Sequence, residues 1–453
     1  MKHIVNQLQI EIHCPDEGQA LGMRHNFAQT FQQRIEEVMD RVCSKYIPES
    51  DSVQIDTLAF DLGIFSSHSF QDTFVDIFAD KFEKALVQKI AALPNHERRT
   101  SVGHSQLELF KYILLHGTTP WWVDQNDVIL NDIARVLVKE HPHEVKSFLE
   151  ANCTNAAMWS RIVFQLNSEV QDAVAIMVTE LTQGIILIEE WIRKIEKYIG
   201  HEMYTEKTKS FITTVLLKAI PWLSSKGYTK DSFQSVFDRS IPDLFIDNAA
   251  YSQSIVEAWR NIKASSGLPE STAEGKVAPF VHDTIVTDEK YITKHGGVIL
   301  LAQFLRPFFQ KLGLLEGVAW KNKPAQYKAV QLVGFLGTGE EYIPEYSLVL
   351  EKIICGVPLE EPIPVNAELS REDLAEAEVL LRAVIEHWSA LRNSSTQGLR
   401  DAFLVRDGVL VRTNMHWQLR VERKTIDVLL DKIPWGYSVI MMPWNDYPIY
   451  VEW

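Results

Sequence analysis

Hydrophobic and polar positions alternate at the start of the chain, with Leu8, Ile10 and Ile12 on one face and Gln9 and Glu11 on the other, the period of a strand. After Cys14-Pro15-Asp16 the spacing changes. Met23, Phe27, Phe31, Ile35, Val38 and Val42 recur by threes and fours, which predicts a helix with Asp16 at its N-cap. Leu58, Phe60 and Leu62 return to period two and stop at Gly63. Phe70, Phe74, Phe78, Phe82, Leu86 and Ile90 then form one stripe of a second helix. Strand, helix, strand, helix predicts a small α/β unit to about residue 95.

Further on, the stretch from Phe110 closes a helix at Gly117 and breaks at Pro120, where Pro120-Trp121-Trp122 reads as a stiff packing plug. Residues 127–262 read as successive helices, among them Asp127–Lys139, Glu144–Glu150, Glu169–Ile199 and Thr208–Ala219, with no fixed repeat period. Ala264 to Lys276 is a run of small and polar residues with Gly and Pro, the composition of a linker.

Beyond Asp288 the apolar run 297–315 predicts a helix that Pro307 kinks or restarts. Ser370 stands three residues before Asp373, a capping-box start, and Leu374, Leu381, Val384, Ile385, Trp388 and Leu391 lie on one side of the helix behind it. After Asn393 the period becomes two. Phe403-Leu-Val and Val409-Leu-Val flank Arg406-Asp407-Gly408, a hairpin signal. Trp417, Leu419 and Val421 alternate, as do Tyr447, Ile449, Val451 and Trp453, which predicts a terminal strand docked in a sheet. The expected fold class is α+β, mainly α-helical. Its parts are an N-terminal α/β unit with the Pro-Trp-Trp plug (1–125), a helical middle (126–263), a linker (264–287), and C-terminal helices with a short antiparallel sheet (288–453).

Composition narrows the function. Hydrophobic residues make up 46% of the 453 positions and charged residues 23%, enough for packed cores and unlike a disordered tail or a coiled coil. A net charge of −15 repels phosphate backbones and anionic lipid, so neither nucleic acid nor membrane insertion is expected. The apolar stretch from Val174 to Ile195 is interrupted by Glu180, Gln183, Glu189 and Glu190, so it reads as a buried helix. Cys14, Cys43, Cys153 and Cys355 are scattered singly, the pattern of thiols kept reduced in a cytoplasm. Met-Lys-His-Ile-Val-Asn-Gln at the start lacks the apolar run of a signal peptide.

Candidate chemistry is sparse. His141, His143 and Glu144 lack the i, i+4 histidine pair of a helical zinc site and read as an exposed turn around Pro142. Gly334, Gly337 and Gly339 superficially suggest a phosphate loop, but Glu340 and Glu341 stand where cations are needed, so a turn after a helix is expected. Cys355 sits among aliphatic residues and reads as a small buried hydrophobe. The pairs Glu340–Glu341 and Glu360–Glu361 read as solvated, and Arg420, Arg423 and Lys424 as the wet face of a strand. No nucleophile, acid–base pair, metal or cofactor set emerges, and the expectation is a protein without catalytic, metal or cofactor residues.

Several strings together carry a resemblance. They are Gly296-Gly-Val-Ile-Leu-Leu, Phe308-Phe-Gln-Lys-Leu-Gly-Leu-Leu-Glu-Gly, Leu350-Glu-Lys-Ile-Ile-Cys355-Gly356-Val-Pro-Leu-Glu and Val384-Ile-Glu-His387-Trp388. To these add Thr396-Gln-Gly-Leu-Arg400, Ile426-Asp-Val-Leu-Leu-Asp-Lys-Ile-Pro434-Trp435, Met442-Pro443-Trp444 and Tyr450-Val-Glu-Trp453. Ile55-Asp56-Thr-Leu58, Asp61-Leu62-Gly63 and Pro120-Trp121-Trp122 fit as well. Over roughly 1–125 and 290–453 the chain resembles the tape measure proteins of phage-tail-like contractile injection systems of the antifeeding-prophage type.

The resemblance implies a non-enzymatic assembly protein that sets inner-tube length, with inner-tube and baseplate proteins as partners. It implies a place in the bacterial cytoplasm during assembly and then inside the particle. A globular chaperone or adaptor that binds tube, baseplate or cargo is the alternative. A ruler is expected to be extended, since a helix rises ~1.5 Å per residue. The 18 prolines, 21 glycines and aromatic stripes point instead to compact units, without a sustained heptad run. Packing or interface candidates are Pro120, Trp121, Trp122, Cys355, Gly356, Trp388, Pro434, Trp435, Trp444 and Trp453.

Overall fold

The computed structural model describes residues 5, 8–13, 34–47, 53, 55, 57–65, 70–92, 102–120, 123, 125–182, 206–226, 232, 290–364 and 369–453. The expected linker 264–287, the helix positions 23–33, Asp16, Trp121, Trp122 and residues 183–199 of the expected long helix lie outside them. The chain divides into two compact units, Met1–Leu109 and Phe110–Trp453.

The first unit is built on the phenylalanine stripe. Helix Phe70–Ala92 buries Phe70, Phe74, Phe78, Phe82 and Leu86 against Ile35, Val38 and Val42 of a helix over 34–46. Each such side chain removed from water contributes about 1.5–3 kcal/mol, so the stripe is the main source of stability here. The two period-two segments carry no strand over 8–13 and 57–65, which corrects the α/β expectation for this part of the chain. In the first segment Leu8 and Ile12 are exposed, so its alternation marks no buried face; in the second the alternation is real. Leu58, Phe60 and Leu62 turn inward while Thr57, Ala59 and Asp61 stay exposed, and Phe60 lies 5.6 Å from Phe78 between ring centroids. Extended chain laid along a helix buries every second side chain just as a paired strand does, so the pattern reports the buried face and not the hydrogen-bonded partner.

The second unit has a helical layer and a C-terminal body. In the layer, helices Leu130–Glu140, Pro142–Ala151, Ala156–Gln165, Ser168–Thr182 and Glu206–Lys226 follow one another. Their starts are legible. Pro142 occupies the first turn of its helix, and the Asn155 side chain accepts the Met158 amide at 3.0 Å, filling a donor that a helix start otherwise leaves open. The helix at Ser168–Thr182 buries Val170, Val174, Ala175 and Val178 and exposes Ile176, so it is amphipathic and not enclosed.

The body is mixed. A five-stranded sheet runs in the order β1 (Lys290–Thr293), β4 (Gly408–Arg412), β5 (Trp417–Val421), β7 (Ile449–Glu452), β6 (Val439–Ile440), and β2 (Leu315–Glu316) pairs separately with β3 (Ala319–Trp320). β5 and β7 are parallel, in register from Trp417 with Ile449 to Arg420 with Glu452, so the sheet is not wholly antiparallel as expected. The reason is topological. The chain leaves β5, passes through the 3-10 segment Thr425–Lys432 and β6, and re-enters beside β5 in the same direction.

The expected hairpin about Arg406-Asp407-Gly408 is also corrected. Arg400–Leu404 is a π-helical turn with Phe403 and Leu404 fully buried, and β4 pairs forward with β5. The capping box is as read, with Ser370 Oγ accepting the Asp373 amide at 3.2 Å and Asp373 accepting the Ser370 amide at 2.7 Å. Residues 297–315 open as a 3-10 turn, Gly296–Leu301, and become α-helical at Ala302, with Pro307 inside Ala302–Lys311.

Candidate functional site

The aromatic candidates sit at the rim and centre of the body's core. Trp388 is fully buried and donates from Nε1 to the Leu429 carbonyl at 3.1 Å. Trp435 donates to the Leu300 carbonyl at 3.1 Å and meets Phe304 edge-on, whereas Pro434 beside it is exposed. Trp444 donates to the Ile354 carbonyl at 2.8 Å and lies 4.7 Å from the Trp320 ring. Gly356, at φ 69, lets Asn445 close in, since a Cβ there would stand 2.7 Å from Asn445 Oδ1. Trp453 donates from Nε1 to Asp427 Oδ2 at 3.0 Å, and the other oxygen of Asp427 takes Arg406 at 2.9 Å. Trp388, Trp435, Trp444 and Trp453 are thus apolar plates with their one donor satisfied, which fixes their angles as well as their depths. Pro120 is buried.

Cys355 is buried, and burial, with the Glu351 charge nearby, pushes its thiol well above the ordinary range. A thiol held protonated is a poor nucleophile.

The glycine trio is not one turn. Gly334 and Gly337 lie inside helix Lys323–Thr338, where a Cβ would stand 2.7 Å from Ile343 and Leu348 or from Val298, and only Gly339, at φ 80, ends the helix. Of the pair Glu360–Glu361, Glu360 is exposed as expected and Glu361 is corrected. Glu361 is largely buried and accepts from Lys323 at 2.8 Å and from the Tyr327 hydroxyl at 2.6 Å, while Glu340 and Glu341 are exposed. His141 ends one helix and His143 lies in the first turn of the next, with His141 Nδ1 3.5 Å from Glu144. Among the described residues no three His, Cys, Asp or Glu side chains are grouped to hold a metal ion, and no helix is long and apolar enough to cross a membrane. Arg420 pairs with Glu452 at 3.0 Å on the exposed face of the sheet.

The most unusual chemistry is a polar node that the sequence reading missed, inside the second unit between helical layer and body. Glu345 Oε1 accepts from Lys352 Nζ at 2.6 Å and from Arg161 Nε at 3.2 Å, and all three side chains are about 1% exposed. One carboxylate thus faces two cations. The remaining donors go to backbone. Arg161 reaches the carbonyls of Leu114 at 3.1 Å, Leu115 at 2.8 Å and Glu360 at 2.6 Å, and Lys352 reaches Leu359 at 3.0 Å and Glu361 at 2.7 Å. Leu114 and Leu115 belong to the last turn of helix Val102–His116, whose end carries partial negative charge and serves as the second counter-charge.

Gly117 follows that helix at φ 71. A Cβ there would come within 2.5 Å of Glu345 Oε1, so both backbone and space demand glycine. Burial lowers the Lys352 ammonium below its ordinary range, Glu345 opposing and Arg161 reinforcing the shift.

Around the node the same two pieces are joined by further polar bonds. Gln165 donates to the Ile363 carbonyl at 3.0 Å and accepts the Glu345 amide at 3.0 Å. Gln125 donates to the carbonyls of Ile292 at 3.1 Å and Tyr346 at 3.3 Å. The Tyr346 hydroxyl donates to the Val128 carbonyl at 2.9 Å, and burial pushes that phenol up to about 12.

A signal for the node existed. Arg161 falls on the apolar face of Met158, Trp159 and Ile162, and Lys352 interrupts an aliphatic run in a helix, Val349–Ile354, that is buried on every side. Nothing in the sequence says which buried charges meet.

No curated protein and no solved structure matches the chain. The family model described as contractile injection system tape measure protein matches residues 2–453, and the chain belongs to that family.

Proposed function

We propose that this protein is a non-catalytic tape measure that sets the length of the inner tube while a contractile injection particle is built, in contact with tube and baseplate proteins. The observation that carries the reading is the family match across residues 2–453, which takes in the helical middle as well as the two distinctive ends. The body supports an anchoring role at one end of the ruler. Its buried hydrophobic cluster runs from Val298 to Ile449 with Trp435, Trp444 and Trp453 packed against it, which makes the body a firmly held unit.

The same compact body favours a second reading, a chaperone or adaptor that leaves before the particle is finished. Mass spectrometry of purified particles separates the two. A tape measure is recovered with the tube at a fixed ratio to the baseplate; an adaptor is present in lysate and missing from the particle, which would rule out the ruler.

A further inference from the structure

The seam between helical layer and body differs in kind from the cores on either side of it. Among the described residues the body's hydrophobic cluster draws all its members, fully and partly buried, from 291–453, and none from the layer. The layer keeps its own buried set, including Leu137, Val145, Leu149, Met158, Ile162, Val174, Leu217 and Leu223. Among the described residues the side-chain hydrogen bonds that cross the seam run from Arg161 to Glu345 and to the Glu360 carbonyl, from Gln165 to Ile363 and Glu345, from Gln125 to Ile292 and Tyr346, and from Tyr346 to Val128.

Such a seam has strict geometry and a low cost of opening. Charges and amides taken out of water give up hydration to pair, and they recover it when the surfaces part. Apolar surface has no such compensation. The two cations on one carboxylate sharpen the contrast, because their mutual repulsion is relieved the moment the layer lifts.

We infer that this seam is a release joint: the helical layer undocks from the C-terminal body as a unit, each part keeping its own core, with the Arg161–Glu345–Lys352 node as the catch. The joint follows from the chemistry of the seam and stands whether or not the chain acts as a ruler. In a ruler it would supply a way for a compactly stored segment to be paid out.

Hydrogen exchange of the full chain, resolved by mass spectrometry, tests it. Amides across 130–165 are expected to open in one correlated step at least tenfold faster than those in 329–336 and 377–385, the interior helices of the body. Glu345→Gln, which removes the carboxylate that both cations touch, is expected to speed that step at least a further tenfold and to leave the two body segments within about twofold of native. Layer and body opening together at one rate in the native protein overturns the inference, and that comparison holds even if the variant does not fold. Equal acceleration of both parts by Glu345→Gln overturns it as well.

Discussion

Gly297→Ala is expected to cost at least about 3 kcal/mol and to abolish the folded body, because the added methyl has nowhere to go. A Cβ at Gly297 would stand 1.6 Å from the Phe403 carbonyl oxygen and 2.9 Å from the Leu404 Cα. Both neighbours are backbone, in the π-helical turn Arg400–Leu404, so no rotamer change relieves the clash. The 3-10 turn Gly296–Leu301 and the π turn would have to separate, taking with them the hydrogen bond from the Gly296 amide to the Arg406 carbonyl at 2.8 Å.

Gly313→Ala is the matched control. Gly313 has φ 67 but open space around its Cβ, so alanine there meets only left-handed backbone strain of about 1–2 kcal/mol. Urea unfolding followed by near-ultraviolet circular dichroism reads both variants. A Gly297→Ala protein with native signal and a midpoint no lower than that of Gly313→Ala would mean the two turns do not touch as described.

Glu345→Ala is the second large effect. It leaves Arg161 and Lys352 buried side by side without a carboxylate, and breaking a buried pair from one side costs about 3–5 kcal/mol. Lys352→Met should be much milder. It leaves Arg161 and Glu345 as a one-to-one pair, fills a similar volume, and loses the bonds to the Leu359 and Glu361 carbonyls, a cost of about 1–2 kcal/mol. The order of the two, read from urea midpoints by far-ultraviolet circular dichroism, is the test. Lys352→Met as damaging as Glu345→Ala would show that the node is held by the lysine's carbonyl contacts and not by its charge balance.

These two sites illustrate what was legible in the sequence. Local devices were. The Ser370–Asp373 capping box, the stripe from Phe70 to Leu86 and the alternation in Trp417, Leu419 and Val421 each depend on residues within a few positions, so spacing alone reveals them. Pairings across long stretches of chain were not. β5 beside β7 in parallel depends on the course of the 3-10 segment and β6 between them, and a strand's period is the same in either direction.

The glycines show the same limit. Gly334 and Gly337 resemble loop residues in a string, whereas in the fold they are buried helix positions where Ile343, Leu348 and Val298 come too close for a side chain. Adjacent acids point apart on regular structure, which predicts a solvated Glu361, whereas Lys323 with Tyr327 draws it inward. The node is the extreme case. Arg161 and Glu345 are 184 positions apart and carry no motif, and of the two only Arg161, on the apolar face of its helix, stands where burial is legible.

That the chain measures the tube is tested most directly by changing its length where no described element is disturbed. In-frame insertions of increasing size between residues 264 and 287 leave both cores and the node intact. If the chain is the ruler, electron microscopy of purified particles should show tubes that lengthen in proportion, by up to ~1.5 Å per added residue for a helical insert. Particles of unchanged tube length around an insertion-bearing protein that is still incorporated would contradict it.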